Sequence, residues 1–171
     1  MLAIKAVQMI FKNLLPAVTD GRSVEVREQM LLASLYAGMA FSNSSVGAVH
    51  AFAYPLGVRF HVPHGLSNSL MLPHILRFNL EAAEVTYAAL GRSIHPELAA
   101  VSGKVAAKAF VDSICDLVSK MPYAQRLRDV GITQTDLAGL ASDVTKIERL
   151  LVHNPKEITP EDALALYTMA F

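Results

Sequence analysis

The chain holds a single cysteine, Cys115, no tryptophan and no excess of either charge, and each shortage removes a class of protein from consideration. One cysteine cannot close an internal disulfide, so a secreted disulfide scaffold is excluded and a reducing cytoplasm is the expected setting. Fifteen basic and fifteen acidic side chains cancel, which removes the electrostatic footprint of a nucleic-acid or anionic-membrane binder. No nucleic-acid partner is expected. No uninterrupted apolar run nears the ~20 residues that span a bilayer, because Lys5, Lys12, Arg22, Glu25 and Arg27 break up the most apolar region. No membrane partner is expected either. The opening "MLAIKAVQMIFKNLLPAVTD" has neither a basic leader nor a small-residue cleavage site, so it reads as part of the fold and not as a signal peptide.

What is plentiful is apolar surface. Hydrophobic residues make up 53% of the chain and the mean hydropathy is +0.36, above the roughly 45–50% of ordinary soluble domains. The surplus points to a partner surface and a homo-oligomer. At 171 residues the default is one domain around one core, residues 1–171.

Convincing period-two alternation is missing, whereas three- and four-residue apolar spacing recurs throughout. Ala3, Val7, Ile10, Phe11, Leu14, Leu15 and Val18 predict a first helix that stops near Asp20-Gly21, with a kink at Pro16. Ser23 is an N-cap candidate for a second, nearly all-apolar helix, expected to be buried and central. Ser44 or Ser45 would cap a short helix ended near Pro55 and Gly57, and a loop follows through Pro63 and Gly65. The stretch from Leu66 to about Gly91 reads as helical with a kink at Pro73. Another long amphipathic segment follows, and then a helix over "DLAGLASDVTKIERLLVH" capped by Thr133 or Thr135. The last helix has Thr159 as N-cap and Pro160 at its first position. The sum is an all-α bundle of about seven or eight helices.

Three of the six histidines fall within fifteen residues, in "HAFAYPLGVRFHVPH". His50 and Tyr54 stand four apart and share one helix face. His64 follows a loop, where Gly65 would let the backbone turn tightly and bring a second imidazole towards the first. Two imidazoles from separate elements make a metal platform, although ligand type alone does not choose among zinc, iron, copper and nickel. Two ligands are also too few for a catalytic zinc or ferrous site, and no acidic residue lies between Glu28 and Glu81. The competing reading is that each imidazole is a satisfied, partly buried hydrogen-bonding group. That reading is preferred for His74, His95 and His153, and His61 has no defined role.

The stretch "GAVHAFAYPLGVRFHVPHGLSNSLMLPHILRFN" resembles the histidine-rich signature of the iron-containing alcohol dehydrogenases. "VREQMLLASLYAGMAFSNSSVG" resembles that family's preceding helix, and "HNPKEITPEDALALYTMAF" its usual chain end. The resemblance implies a helical C-terminal domain of the iron-containing alcohol dehydrogenase and dehydroquinate synthase-like fold over residues 1–171, binding metal and substrate. It implies an N-terminal domain that binds NAD or NADP, absent from this chain, with a divalent metal, iron or zinc, in the cleft between the two. By motif position His50 and His64 would be two metal ligands, with the family's other two, an Asp and a His, in the absent half. The chain therefore reads as a fragment, inactive by itself. Many members carry a histidine where this chain has Tyr54; a phenol, with an ordinary pKa near 10, is a poor general base at neutral pH. Tyr54 is then either a hydrogen-bond donor to substrate or a packed aromatic. Phe41 matches a family position facing the substrate cleft, a core aromatic being the alternative.

The implied activity of the parent enzyme is reversible hydride transfer between a small alcohol and an aldehyde or ketone. Two other readings stay open. One is a non-catalytic helical module that self-associates through its apolar surface; the other is a reductase relative that needs no metal.

Overall fold

The computed structural model describes residues 1–171 and contains no strand: nine α-helices and three short 3-10 turns. The α-helices are α1 (Leu2–Thr19), α2 (Val24–Phe41), α3 (Ala48–Phe60), α4 (His64–Phe78), α5 (Glu84–Ile94), α6 (Gly103–Ser119), α7 (Leu137–Thr145), α8 (Glu148–Leu151) and α9 (Pro160–Ala170). The extra helix arises because the segment after Thr133 breaks at Lys146 and Ile147 into α7 and the four-residue α8.

The chain forms two compact units, Met1–Ser45 with Ala83–Met121, and Val46–Ala82 with Pro122–Phe171, where a single core was the default expectation. In the first unit α1 packs on α2 and on α5, and α5 packs on α6. Tyr87 and Phe110 stack there with ring centroids 5.5 Å apart. Gly91 lies inside α5 and does not end it. Its role is close approach: a Cβ at this position would lie 2.6 Å from the Ala106 carbonyl oxygen of α6. Ser23 caps α2 as expected, accepting from the Val26 amide.

The expectation for α2 fails in this unit. Only Ala33 of α2 is buried, and Leu31 (74% exposed) and Leu35 (57%) face outward, so α2 is not a buried central helix. Small residues at Ala33 and Ala37 let α1 approach on one side only, which leaves the opposite apolar stripe of α2 uncovered. Also, α1 is long and apolar enough to cross a membrane by length and composition alone, although Lys5 and Lys12 interrupt it. In the fold it packs as one arm of a helical hairpin and buries Ala6, Met9 and Asn13.

The second unit has the larger apolar core. Phe52 and Leu56 of α3, Met71 and Ile75 of α4, Leu140 and Val144 of α7, and Leu166 and Tyr167 of α9 are each at most 1% exposed. Thr159 caps α9 through a reciprocal pair with Asp162, and Pro160 takes the first helical position. The α4–α5 region is not one kinked helix; α4 ends at Phe78, and Asn79 is locked to Asn154 by two side-chain amide hydrogen bonds of 2.8 Å each. Pro73 is accommodated inside α4.

Candidate functional site

The second unit places His50 and Tyr54 one turn apart near the start of α3. Gly47, not Ser44 or Ser45, is the N-cap, and α3 runs through Pro55 to Phe60. Pro55 costs the helix one amide donor. The buried Tyr167 hydroxyl of α9 donates to the Phe52 carbonyl at 2.8 Å, and the two rings meet at 4.9 Å. This contact fixes α3 from the side opposite the histidines. Burial, with the Asp143 charge adding to it, pushes the Tyr167 phenol well up, so the hydroxyl remains a donor.

His61, without a role in the sequence reading, stops α3. It adopts the left-handed conformation at φ 55° and ψ 25°, which histidine tolerates better than most residues. Its amide returns to the Gly57 carbonyl and that of Val62 to Leu56, a Schellman-type ending. Val62 is buried and its carbonyl accepts from the Ser67 hydroxyl at 3.2 Å. The three-residue reversal thus lays the first turn of α4, led by His64, against the first two turns of α3. Gly65 does not make this turn: it lies inside α4, and its φ is not positive.

The result is a cluster of rings. His50 and His64 have centroids 5.3 Å apart at 52°, and Tyr54 stands 6.1 Å from His64. Burial first, and then the neighbouring His64, hold the His50 imidazole below its ordinary pKa. The neutral form this favours is the one that ligates metal. Two imidazoles bound to one tetrahedral ion at about 2.0–2.1 Å would have centroids roughly 5 Å apart, so the observed pair fits a shared ion. No third His, Cys, Asp or Glu joins the pair.

Sequence reasoning missed two neighbours. Asn68, one turn after His64, sits with Nδ2 3.0 Å from His64 Nε2, and its Oδ1 is buried without a partner. As placed, the amide donates to an unprotonated Nε2; turned over, it would accept from an Nε2 that carries the proton. In either arrangement it occupies one nitrogen of His64. The other neighbour is Arg149 of α8, whose Cζ lies 5.9 Å from the Tyr54 ring centroid. The spacing of Asn68 four residues after His64 could have signalled the first. Nothing local in the sequence signals the second.

Phe41 belongs to the first unit, at the end of α2, and is 55% exposed. It is therefore not a core aromatic. Of the other histidines, His95 contacts Ser113 and Glu97 and packs edge-on against Phe11. His74 is lowered in pKa by burial and then by Arg77.

Comparison with known proteins agrees with the geometry. Residues 1–171 match the model of the Fe-containing alcohol dehydrogenase family, C-terminal. The chain is 34% identical over 169 residues to 1,3-propanediol dehydrogenase of Klebsiella pneumoniae, covering 99% of this chain and 43% of that protein. It is 33% identical over 170 residues to lactaldehyde reductase of Escherichia coli, covering 99% and 44%. The crystal structure of a 1,3-propanediol oxidoreductase superposes with a TM-score of 0.93 at 34% identity, over 99% of this chain and 44% of that one. An alcohol dehydrogenase from Oenococcus oeni gives 0.90 at 30% identity, over 98% and 44%. The chain thus spans less than half the length of these relatives. Its helical architecture and the match along its whole length agree: the chain belongs to the iron-containing alcohol dehydrogenase family and corresponds to that family's C-terminal part.

Proposed function

We propose that this chain is the metal- and substrate-binding half of an NAD(P)-dependent alcohol dehydrogenase. In the reaction the alcohol carbon gives a hydride to NAD(P)+ and the hydroxyl gives up a proton, leaving an aldehyde or ketone; the reverse reduces the carbonyl. The observation that carries this reading is the pairing of His50 and His64 at 5.3 Å, a spacing suited to one shared ion. The relatives named above, a propanediol dehydrogenase and a lactaldehyde reductase, are alcohol- and aldehyde-converting enzymes.

A divalent iron or zinc ion, when bound, supplies Lewis-acid polarisation of the substrate oxygen. His50 and His64 hold the ion from this half, His50 kept neutral by its burial. Asn68 sets the orientation of the His64 ring. Tyr54, in the place of a common family histidine, offers its hydroxyl as a hydrogen-bond donor to substrate or to an ordered water. Phe41 offers apolar surface to the substrate. NAD or NADP is bound mainly by a dinucleotide-binding domain outside residues 1–171. The setting proposed is a cytoplasmic homo-oligomer acting on a small alcohol or aldehyde.

The test is made in a parent protein that joins this chain to a dinucleotide-binding half. His50→Ala or His64→Ala should remove bound metal and turnover together. Full metal loading in both variants overturns the ligand assignment. The exposed apolar stripe of α2, with Leu31, Leu35 and Met39, favours a second reading for the chain alone: a self-associating module without turnover. A clean monomer in sedimentation at high concentration contradicts that reading.

A further inference from the structure

Arg149 is a free charge beside the ring cluster. In the same unit Arg59 is clamped to Asp143 at 2.7 Å. Arg149 makes no ion pair and no hydrogen bond, and its neighbour in the chain, Glu148, is not bonded to it. Its guanidinium instead lies over Tyr54, at the edge of cation–π range. Tyr54 in turn flanks His64. Because α8 packs on α3, this charge is carried by the same framework that sets the imidazoles. An arginine with all its donors unused and no carboxylate paired to it is suited to a planar anion, which it can grip through two parallel hydrogen bonds.

We propose that Arg149 is a specificity-determining residue that selects substrates carrying a carboxylate, so that the preferred alcohol is a short hydroxy acid and the product a carbonyl acid. This rests on the functional reading above. The geometry limits the length of the substrate. With the hydroxyl end at the His50–His64 pair and the carboxylate on Arg149, the separations of 6.1 Å from Tyr54 to His64 and 5.9 Å from Arg149 to Tyr54 cap the span between the two ends, and a linker of about three or four carbons fits within that cap. Tyr54 neighbours both His64 and Arg149 and offers its ring as apolar surface to that linker. The same charge disfavours nothing in a neutral diol but gives it no anchor, so discrimination comes from the carboxylate alone.

The experiment is an NMR titration of the isotope-labelled 171-residue chain, free of metal, at pH 8 and low salt, so that an arginine and not a protonated imidazole supplies the charge. The probes are 4-hydroxybutanoate and its neutral counterpart 1,4-butanediol. The hydroxy acid should shift the Arg149 Nε–H and Tyr54 ring signals saturably and bind about fivefold more tightly than the diol, the scale of one exposed charge pair. Arg149→Gln should erase the preference and leave the remaining amide spectrum unchanged, since Arg149 is exposed. Raising the ionic strength should weaken the hydroxy acid only. Equal binding of the two probes, or a preference that survives in Arg149→Gln, overturns the proposal. A separate addition of Zn2+ tests the underlying reading. Joint shifts of His50 and His64 without any carboxylate preference would defeat the Arg149 assignment alone. A carboxylate preference without a zinc response would defeat the metal reading and leave the anion site standing.

Discussion

Gly91→Ala places a methyl group where α5 and α6 touch. The new Cβ would meet the Ala106 carbonyl oxygen at 2.6 Å and the Phe110 Cβ at 3.2 Å. The first contact is with backbone, so no side-chain rotation can relieve it, and the two helices must separate by several tenths of an ångström. Overpacking of this kind costs about 1–3 kcal/mol, while the exchange of Gly for Ala inside a helix returns about 1 kcal/mol. The net expectation is a loss of up to about 2 kcal/mol. With a urea slope of about 1–3 kcal/mol per molar, the unfolding midpoint followed by circular dichroism at the helix band should fall by up to about 1 M. Gly65→Ala is the control. It is the same exchange inside a helix, with nothing within 4 Å of the added Cβ and no positive φ, so it should leave the midpoint unchanged or raise it. A Gly91→Ala chain as stable as the control would refute the close-approach argument.

Other outcomes follow from the second unit and from His74. Tyr167→Phe removes a buried hydrogen bond to the Phe52 carbonyl and should cost about 1 kcal/mol, read as a lower urea midpoint; no change would mean that the contact does not brace α3. Because His74 titrates lower in the fold than unfolded, its contribution is complete above the unfolded value near 6.5 and fades as pH falls through the folded value. Urea midpoints should therefore drop between neutral and mildly acidic pH, and His74→Gln should flatten that drop; an unchanged pH dependence would contradict the assignment.

The starts of α2 and α9 were legible because the chemistry is local: Ser23 and Thr159 each reach an amide three residues on, whatever surrounds them. The His50 and Tyr54 pairing was legible for the same reason, one helical turn apart on one face. The misreadings share an opposite cause. Pro55 reads as a stop, yet α3 passes through it, braced by a hydroxyl 115 residues away in sequence. The break after Phe78 depends on Asn154, 75 residues on. Gly91 reads as a terminator, although its function is set by the carbonyl of a facing helix. The apolar run of α2 reads as buried because periodicity reports composition and not which faces find a neighbour. Arg149 was invisible in the same way, since only the packing of α8 on α3 brings it to Tyr54.

The claim that His50 and His64 share one ion is tested most directly by X-ray absorption at the zinc edge, with the chain in excess over Zn2+ so that the metal occupies its tightest site. The account predicts outer-shell scattering from two imidazoles per zinc, falling to one in His50→Ala and likewise in His64→Ala. A two-imidazole signal that persists in either variant, or a single imidazole in the unmodified chain, would contradict it.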